Sequence, residues 1–386
     1  HAARLYEEAI AYSALAADER QSAQVRLGEM LTAAGQPRAA ARAFLVAADG
    51  AEDLARLAHR QRAAELLMQN GAFVEGQPLL AEVLRDFELS FSVTGWGAVL
   101  RFLWLRLRLL LRGLRFVERA EKDLQPRELL RVDACWAAAV GHLLFEPLQA
   151  MALHSQHLLL ALELGEPMRV ARALAIEALL RNFLGPRQYR RADELITESR
   201  RLAQTLQRPY LRGITTMAIA MIHFHRGHMK TSVELAQEGQ AILRAQCPEA
   251  AWERRSLEGI IALNLGMMGR YSELSAILPG ILQEARERGD HGAENSAQIW
   301  LLVLHLAHDE VDRARALLIE MEDLVQRNGS MMYQGNVLAA TAMLSFYTEP
   351  EQALRRFFAE WRPVSRRSRT ASTEATRCWE LYIEAM

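Results

Sequence analysis

"RLGEMLTAAGQPRAAARAFLVAA", residues 26–48, is the stretch whose reading decides the fold. Its apolar residues recur three and four apart on both sides of Gly35 and Pro37, the spacing that lines one face of a helix. Gly35 with Pro37 is a short Gly/Pro break that marks a tight turn between two helices. The segment reads as a hairpin of two helices. Gly28 and Ala40 are its small residues, placed where the helices cross, and Phe44 is large enough to fill the gap toward a neighbouring hairpin.

The theme returns outward from there. "LLMQNGAFVEGQPLLAEVL" repeats it with Gly71 and Gly76, "AMIHFHRGHMKTSVELAQEG" around Gly227, and "LNLGMMGRYSELSAILPGIL" around Gly269. "VLHLAHDEVDRARALLIEM" continues it with Ala314, "MLSFYTEPEQALRRFF" with Ala353 and Phe357, and residues 127–205 fit two more helix pairs. Strand-like alternation is almost absent, so the expected class is all-α, an α-α superhelix of antiparallel helix pairs with a period of about 36 to 42 residues. The first hairpin resembles the tetratricopeptide (TPR) pattern L-G-x2-Y followed by A-x3-F. It departs from that pattern at Gln24, Leu31 and Glu52, where Trp, Tyr and Pro are expected. The expected organisation is TPR-like repeats over 1–95, an Arg-rich helix and connection over 96–126, and further repeats over 127–386, all in one continuous solenoid.

At 386 residues the chain exceeds the size of a single ordinary core, which suits a repeating array. A formal charge of −1 with 24% charged residues argues against a nucleic-acid or membrane-surface coat. Cys135, Cys247 and Cys378 lack any CxxC or Cys/His pairing and read as reduced core thiols of a cytoplasmic protein. The most apolar run, "AVLRFLWLRLRLLL" at 98–111, carries Arg101, Arg106 and Arg108, each costing roughly 2.5 to 3.5 kcal/mol at a bilayer centre, so it is not read as a span. The chain opens on His1 within a helical pattern and stops in mid-pattern, as a piece of a longer polypeptide would.

The residues "RLLLRGLRF" (108–116), "ELLRVDACWAAAVG" (128–141), "SQHLLLALELGEPMRVARALAIEA" (155–178) and "ILQEARERGD" (281–290) carry a wider resemblance. The chain is similar to the C-terminal TPR-like region of bacterial signalling proteins that fuse a serine/threonine protein kinase to a STAND-type AAA ATPase. The resemblance implies a non-catalytic sensing or docking arm, with kinase and ATPase domains adjacent in the same chain. Neither GxxxxGK[ST] nor the kinase HRD and DFG elements occur in these residues.

Candidate binding residues follow from position. On a helix that continues through Gly113, Arg101, Arg108, Arg112, Arg115 and Arg119 fall within a sector of about 60°, with Arg106 off the stripe and Glu128 and Asp133 as nearby carboxylates. Such a stripe is either an internally paired face or a docking surface for an acidic partner. His223, Asn264, Gln298 and His305 are candidates for the concave face, together with Phe224 and Met267. Zinc is disfavoured, since His223 and His305 belong to repeats separated by a whole repeat, about 20 Å at 8 to 10 Å per helix layer. Glu194 with Glu198, and Glu320 with Glu322 and Asp323, read as surface charges, and no cofactor is called for.

Trp96, Trp104, Trp136, Trp252, Trp300, Trp361 and Trp379 read as packing between helices, residues 88–96 as a candidate hinge, and the basic segment with Ser368, Thr370 and Ser372 as a solvated loop or helix start in preference to phosphate acceptors for a linked kinase. The favoured function is protein or peptide binding on the concave face. The alternatives are the effector-sensing arm of a STAND/LuxR-type transcription regulator and a metal-dependent enzyme on a helical scaffold.

Overall fold

The computed structural model describes residues 2–12, 15–89, 95–143, 146–247, 249–328 and 331–349. Among them are seventeen α-helices and no strand. After α1 (Ala2–Tyr12) come the hairpins α2 (Ala17–Ala33) with α3 (Pro37–Asp49) and α4 (Asp53–Gln69) with α5 (Phe73–Asp86), then the inserted α6 (Gly95–Arg112). Hairpins resume with α7 (Pro126–His142) and α8 (Pro147–Leu164), α9 (Pro167–Phe183) and α10 (Tyr189–Leu206), and α11 (Pro209–His225) and α12 (Met229–Gln246). They continue with α13 (Ala251–Met267) and α14 (Tyr271–Arg288), α15 (His291–Ala307) and α16 (Val311–Asn328), before α17 (Met331–Thr348).

Within each hairpin the two helices pack together, and first helices of successive hairpins also touch: α4 on α7, α9 on α11, α11 on α13, α13 on α15, α15 on α17. From α7 onward, first helices begin at residues 126, 167, 209, 251, 291 and 331, a period of roughly 40 residues. The chain is an α-α superhelix of TPR-like hairpins.

Local chemistry sets each hairpin turn. Gly35, Gly71, Gly227 and Gly269 hold φ of 71°, 75°, 80° and 69°. In each case the following N–H donates back into the finished helix: Gln36 to the Leu31 carbonyl, Ala72 to Leu67, His228 to His223 and Arg270 to Leu265. This closure satisfies carbonyls that a helix end leaves open. In the α15–α16 turn the left-handed position is Asp309, at φ 61°, and its carboxylate accepts the Tyr347 hydroxyl at 2.8 Å. Prolines open α3, α7, α8, α9 and α11, where a missing N–H costs nothing.

Small residues set the helix crossings. A Cβ on Gly28 would lie 2.9 Å from the Phe44 ring, and that ring also stacks 6.3 Å from His59 on α4. Phe44 thus fills both its own hairpin and the gap to the next. Gly266 lies under the Trp300 ring in the same way, with no room for a Cβ between them.

Two features were not expected. First, α6 stops at Arg112, because Gly113 turns left-handed at φ 73°. The following residues leave the helix and cross the α8–α9 turn, where the Arg119 N–H donates to the Gly165 carbonyl at 3.0 Å. Arg115 and Arg119 are therefore not on the helix of Arg101, Arg108 and Arg112, and the five arginines form no single stripe. Second, the superhelix meets itself. Asn70, in the α4–α5 turn, donates from Nδ2 to the Gly289 carbonyl in the α14–α15 turn at 2.9 Å, and a Cβ on Gly71 would lie 2.8 Å from the Tyr333 hydroxyl of α17.

The expectations at Ala353, Phe357, Trp361, Ser368, Thr370, Ser372, Cys378 and Trp379, and at residues 90–94 of the hinge, lie outside the described residues.

Candidate functional site

The arginines of α6 are bent toward the scaffold. Arg101 donates to Gln156, Arg112 to the carbonyls of Leu162, Gly113 and Arg115 at 2.9, 3.1 and 2.9 Å, and Arg108 reaches Glu163 at 3.4 Å with both heads half-exposed. Their partners lie on α8 and on the chain just after α6, not on Glu128 or Asp133. Asp133 instead receives Arg169 at 2.5 Å and Arg172 at 2.7 Å.

Arg106, the arginine set apart by the sequence, pairs with a buried carboxylate. Both its terminal nitrogens donate to Glu177 at 2.8 Å, Arg181 adds a bond at 2.7 Å, and His154 Nε2 lies 3.5 Å away. Glu177 is only 1% exposed. Burial alone would raise its carboxyl, but the neighbouring His154 imidazole and the hydrogen bonds and charge of Arg106 outweigh it, holding the carboxyl well below the usual range. No sequence spacing announces this cluster, because Arg106 and Glu177 are 71 positions apart.

The candidates for the concave face divide. Asn264 is fully buried and donates to Ser232 Oγ at 3.1 Å and the Ile260 carbonyl at 2.7 Å, so it ties α13 to α12 and lines no open groove. Gln298, at 1% exposure, is likewise shut off from solvent. His223 and His305 are half-buried in the last turns of α11 and α15. His305 Nδ1 meets Glu310 at 2.6 Å, whereas His223 Nδ1 has no hydrogen-bond partner among the described residues. Burial lowers the His223 pKa, with the charges of His228 and Arg226 adding to it.

Among the described residues no three His, Cys, Asp or Glu side chains gather to hold a metal ion, and no described helix is long and apolar enough to cross a membrane. Cys135 is buried with its thiol pushed up to about 12, and burial raises Cys247 as well, so neither is poised as a nucleophile. Glu198 pairs with Arg201 at 2.7 Å and Glu320 with Arg286 at 2.7 Å, as surface charges do.

What the fold does gather is a polar seam where charged groups of α4 come near the starts of α11 and α13. Arg62, with about a third of its side chain exposed, bonds Glu65 at 2.7 Å and feels the charges of Glu253 and Tyr210. The Tyr210 hydroxyl donates to Glu253 at 2.8 Å. Arg255 meets Asp290 at 2.5 Å, and Asp290 also caps α15 through the Gly292 and Ala293 amides. Burial pushes the Glu253 carboxyl up, and the hydrogen bonds from its own backbone N–H and from Tyr210, with the charge of Arg62, only partly offset it. Burial, and then the Glu253 charge, raise Tyr210 well above its ordinary value. At the closing contact Asn70 Oδ1 and the Tyr333 hydroxyl are buried without a hydrogen-bond partner among the described residues. These groups were missed because each is an unremarkable residue on its own helix, brought together only by superhelical winding.

No family model matches the chain, and no curated protein matches it. Among solved structures it is similar to a Rap protein complexed with competence and sporulation factor, at 14% identity and a TM-score of 0.48, over 91% of this chain and 98% of that one.

Proposed function

We propose that this chain is a non-catalytic docking arm that receives a protein or peptide segment along the inner seam, within a larger bacterial signalling protein that carries the kinase and ATPase domains implied by the family resemblance. The observation that carries the reading is the seam itself. It sets the partly exposed Arg62–Glu65 pair beside the Tyr210–Glu253 hydrogen bond, where side chains from distant repeats come together. A peptide offers backbone donors and acceptors and charged side chains that such a partly exposed pair can engage. His223 and His305, in the last turns of α11 and α15, are proposed as contacts only for a partner that runs the length of those helices. Arg108, the most loosely held arginine of α6, is the proposed contact outside the seam.

Selection of random 12-residue peptides against the full chain, followed by titration calorimetry, tests the reading. The expected result is one-to-one binding that weakens at least tenfold in Arg62→Ala while the helical circular dichroism is unchanged. No enriched peptide, or binding indifferent to Arg62, refutes it.

A further inference from the structure

Helix α6 turns an apolar face to solvent along its length. Leu100, Leu103, Trp104, Leu107, Leu110 and Leu111 are 66%, 56%, 59%, 45%, 73% and 78% exposed, while Ala98, Leu105 and Leu109 of the same helix are buried. At 100° per residue the six exposed positions span about 120°, and no charged residue falls between them. Arg101 and Arg112 leave the other half of the helix and Arg106 and Arg108 its edges, all bound down to Gln156, Leu162, Glu177 and Glu163. An ordinary surface helix does the reverse. The exposed side chains amount to roughly 700 Å² of apolar surface, above the 300 to 600 Å² of the largest patch on a typical monomer.

We propose that this face is closed by a second copy of the chain, with α6 packing antiparallel on α6 of the second copy about a two-fold axis. The area fits: covering the patch on both copies buries about 1,400 Å², within the range of a stable specific interface. The spacing fits as well. Leu100, Leu103, Leu107 and Leu110 repeat three and four apart, the seam that packs helix on helix at shallow angles. A two-fold axis between Trp104 and Leu107 sets Leu100 of one copy opposite Leu110 and Leu111 of the other, so one patch is its own complement. The helix stands as an added layer whose packing is chiefly on α8, which leaves its outer side open to another helix. A lipid surface suits it less well, because a helix lying on a membrane offers its arginines to headgroups. Here those arginines are engaged by carboxylates and carbonyls.

Size-exclusion chromatography with light scattering on the full chain, from 1 to 100 μM, reads the outcome. The expected result is a concentration-dependent shift to the mass of two chains, abolished in Leu103→Glu/Leu107→Glu and retained in Val74→Glu, which alters an exposed residue of α5. Circular dichroism and melting of the double variant should match the parent, since both side chains already face water. A second measurement does not depend on that variant: a mixture of Trp104→Cys and Leu107→Cys chains should form a disulfide-linked pair on mild oxidation. A parent that stays at the mass of one chain at 100 μM overturns the proposal. So does a dimer indifferent to the glutamates, the absence of cross-linking in the mixture, or a monomer that co-sediments with phosphatidylcholine/phosphatidylserine vesicles through Leu103 and Leu107.

Discussion

Glu177, under α6, and Glu253, on the inner seam, are two carboxylates shut away from water and treated in opposite ways. Glu177 receives three hydrogen bonds from two guanidinium groups and has a histidine beside it, and its carboxyl is pushed down. Glu253 has its own backbone N–H, one phenol and a more distant arginine, and its carboxyl is pushed up. Burial opposes the charge at both sites, so the number and charge of the donors decide the sign. The first arrangement is complete and fastens the inserted helix to the array. The second has too few charged donors to offset burial.

The comparison can be broken most forcefully at Glu177. Glu177→Gln strips a buried guanidinium cluster of its counter-charge and should cost about 3 to 5 kcal/mol in urea unfolding at pH 7, the penalty for splitting a buried ion pair. Because the folded carboxyl is depressed, its contribution is present above the unfolded value of 4.5 and fades as pH falls through the folded one, so the variant should lose the acid limb of the stability profile.

Glu253→Gln tests the other sign. A raised folded carboxyl binds its proton more tightly than the unfolded chain does, so stability is full below pH 4.5 and declines as pH rises through the folded value. The variant should match the parent below pH 4 and be more stable by about 1 kcal/mol at pH 7. A loss at pH 7 would mean that Glu253 is as well paired as Glu177. The smallest effect belongs to Glu163→Gln, which removes the half-exposed partner of Arg108 and should shift unfolding by less than about 0.5 kcal/mol in 0.15 M salt.

Much of the architecture could be read directly. Gly35, Gly71, Gly227 and Gly269 mark the turns because only a left-handed residue closes them, and Gly28 with Phe44 announces a crossing by size alone. The arginine stripe failed on one residue. Periodicity carries a helix through Gly113 unless the glycine's positive φ is known, and the Gly165 carbonyl that takes the Arg119 N–H beyond it is a long-range partner no local pattern shows. Asn264 and Gln298 were misplaced for a different reason. Their position within a hairpin was clear, but whether a polar side chain turns to the groove or to the next helix depends on neighbours such as Ser232, 32 positions away. The seam was beyond reach altogether, because Arg62 and Glu253 come near each other only after small rotations have accumulated over several repeats.

The bond between Asn70 and Gly289 gives the array a mechanical property that an open stack lacks. An open stack stretches like a spring, each hairpin yielding a little to its neighbours alone. Here the second hairpin is latched to the turn entering the seventh, so a change of pitch at any hairpin between them strains the latch. Whatever bends one hairpin in that span is felt by all of them at once.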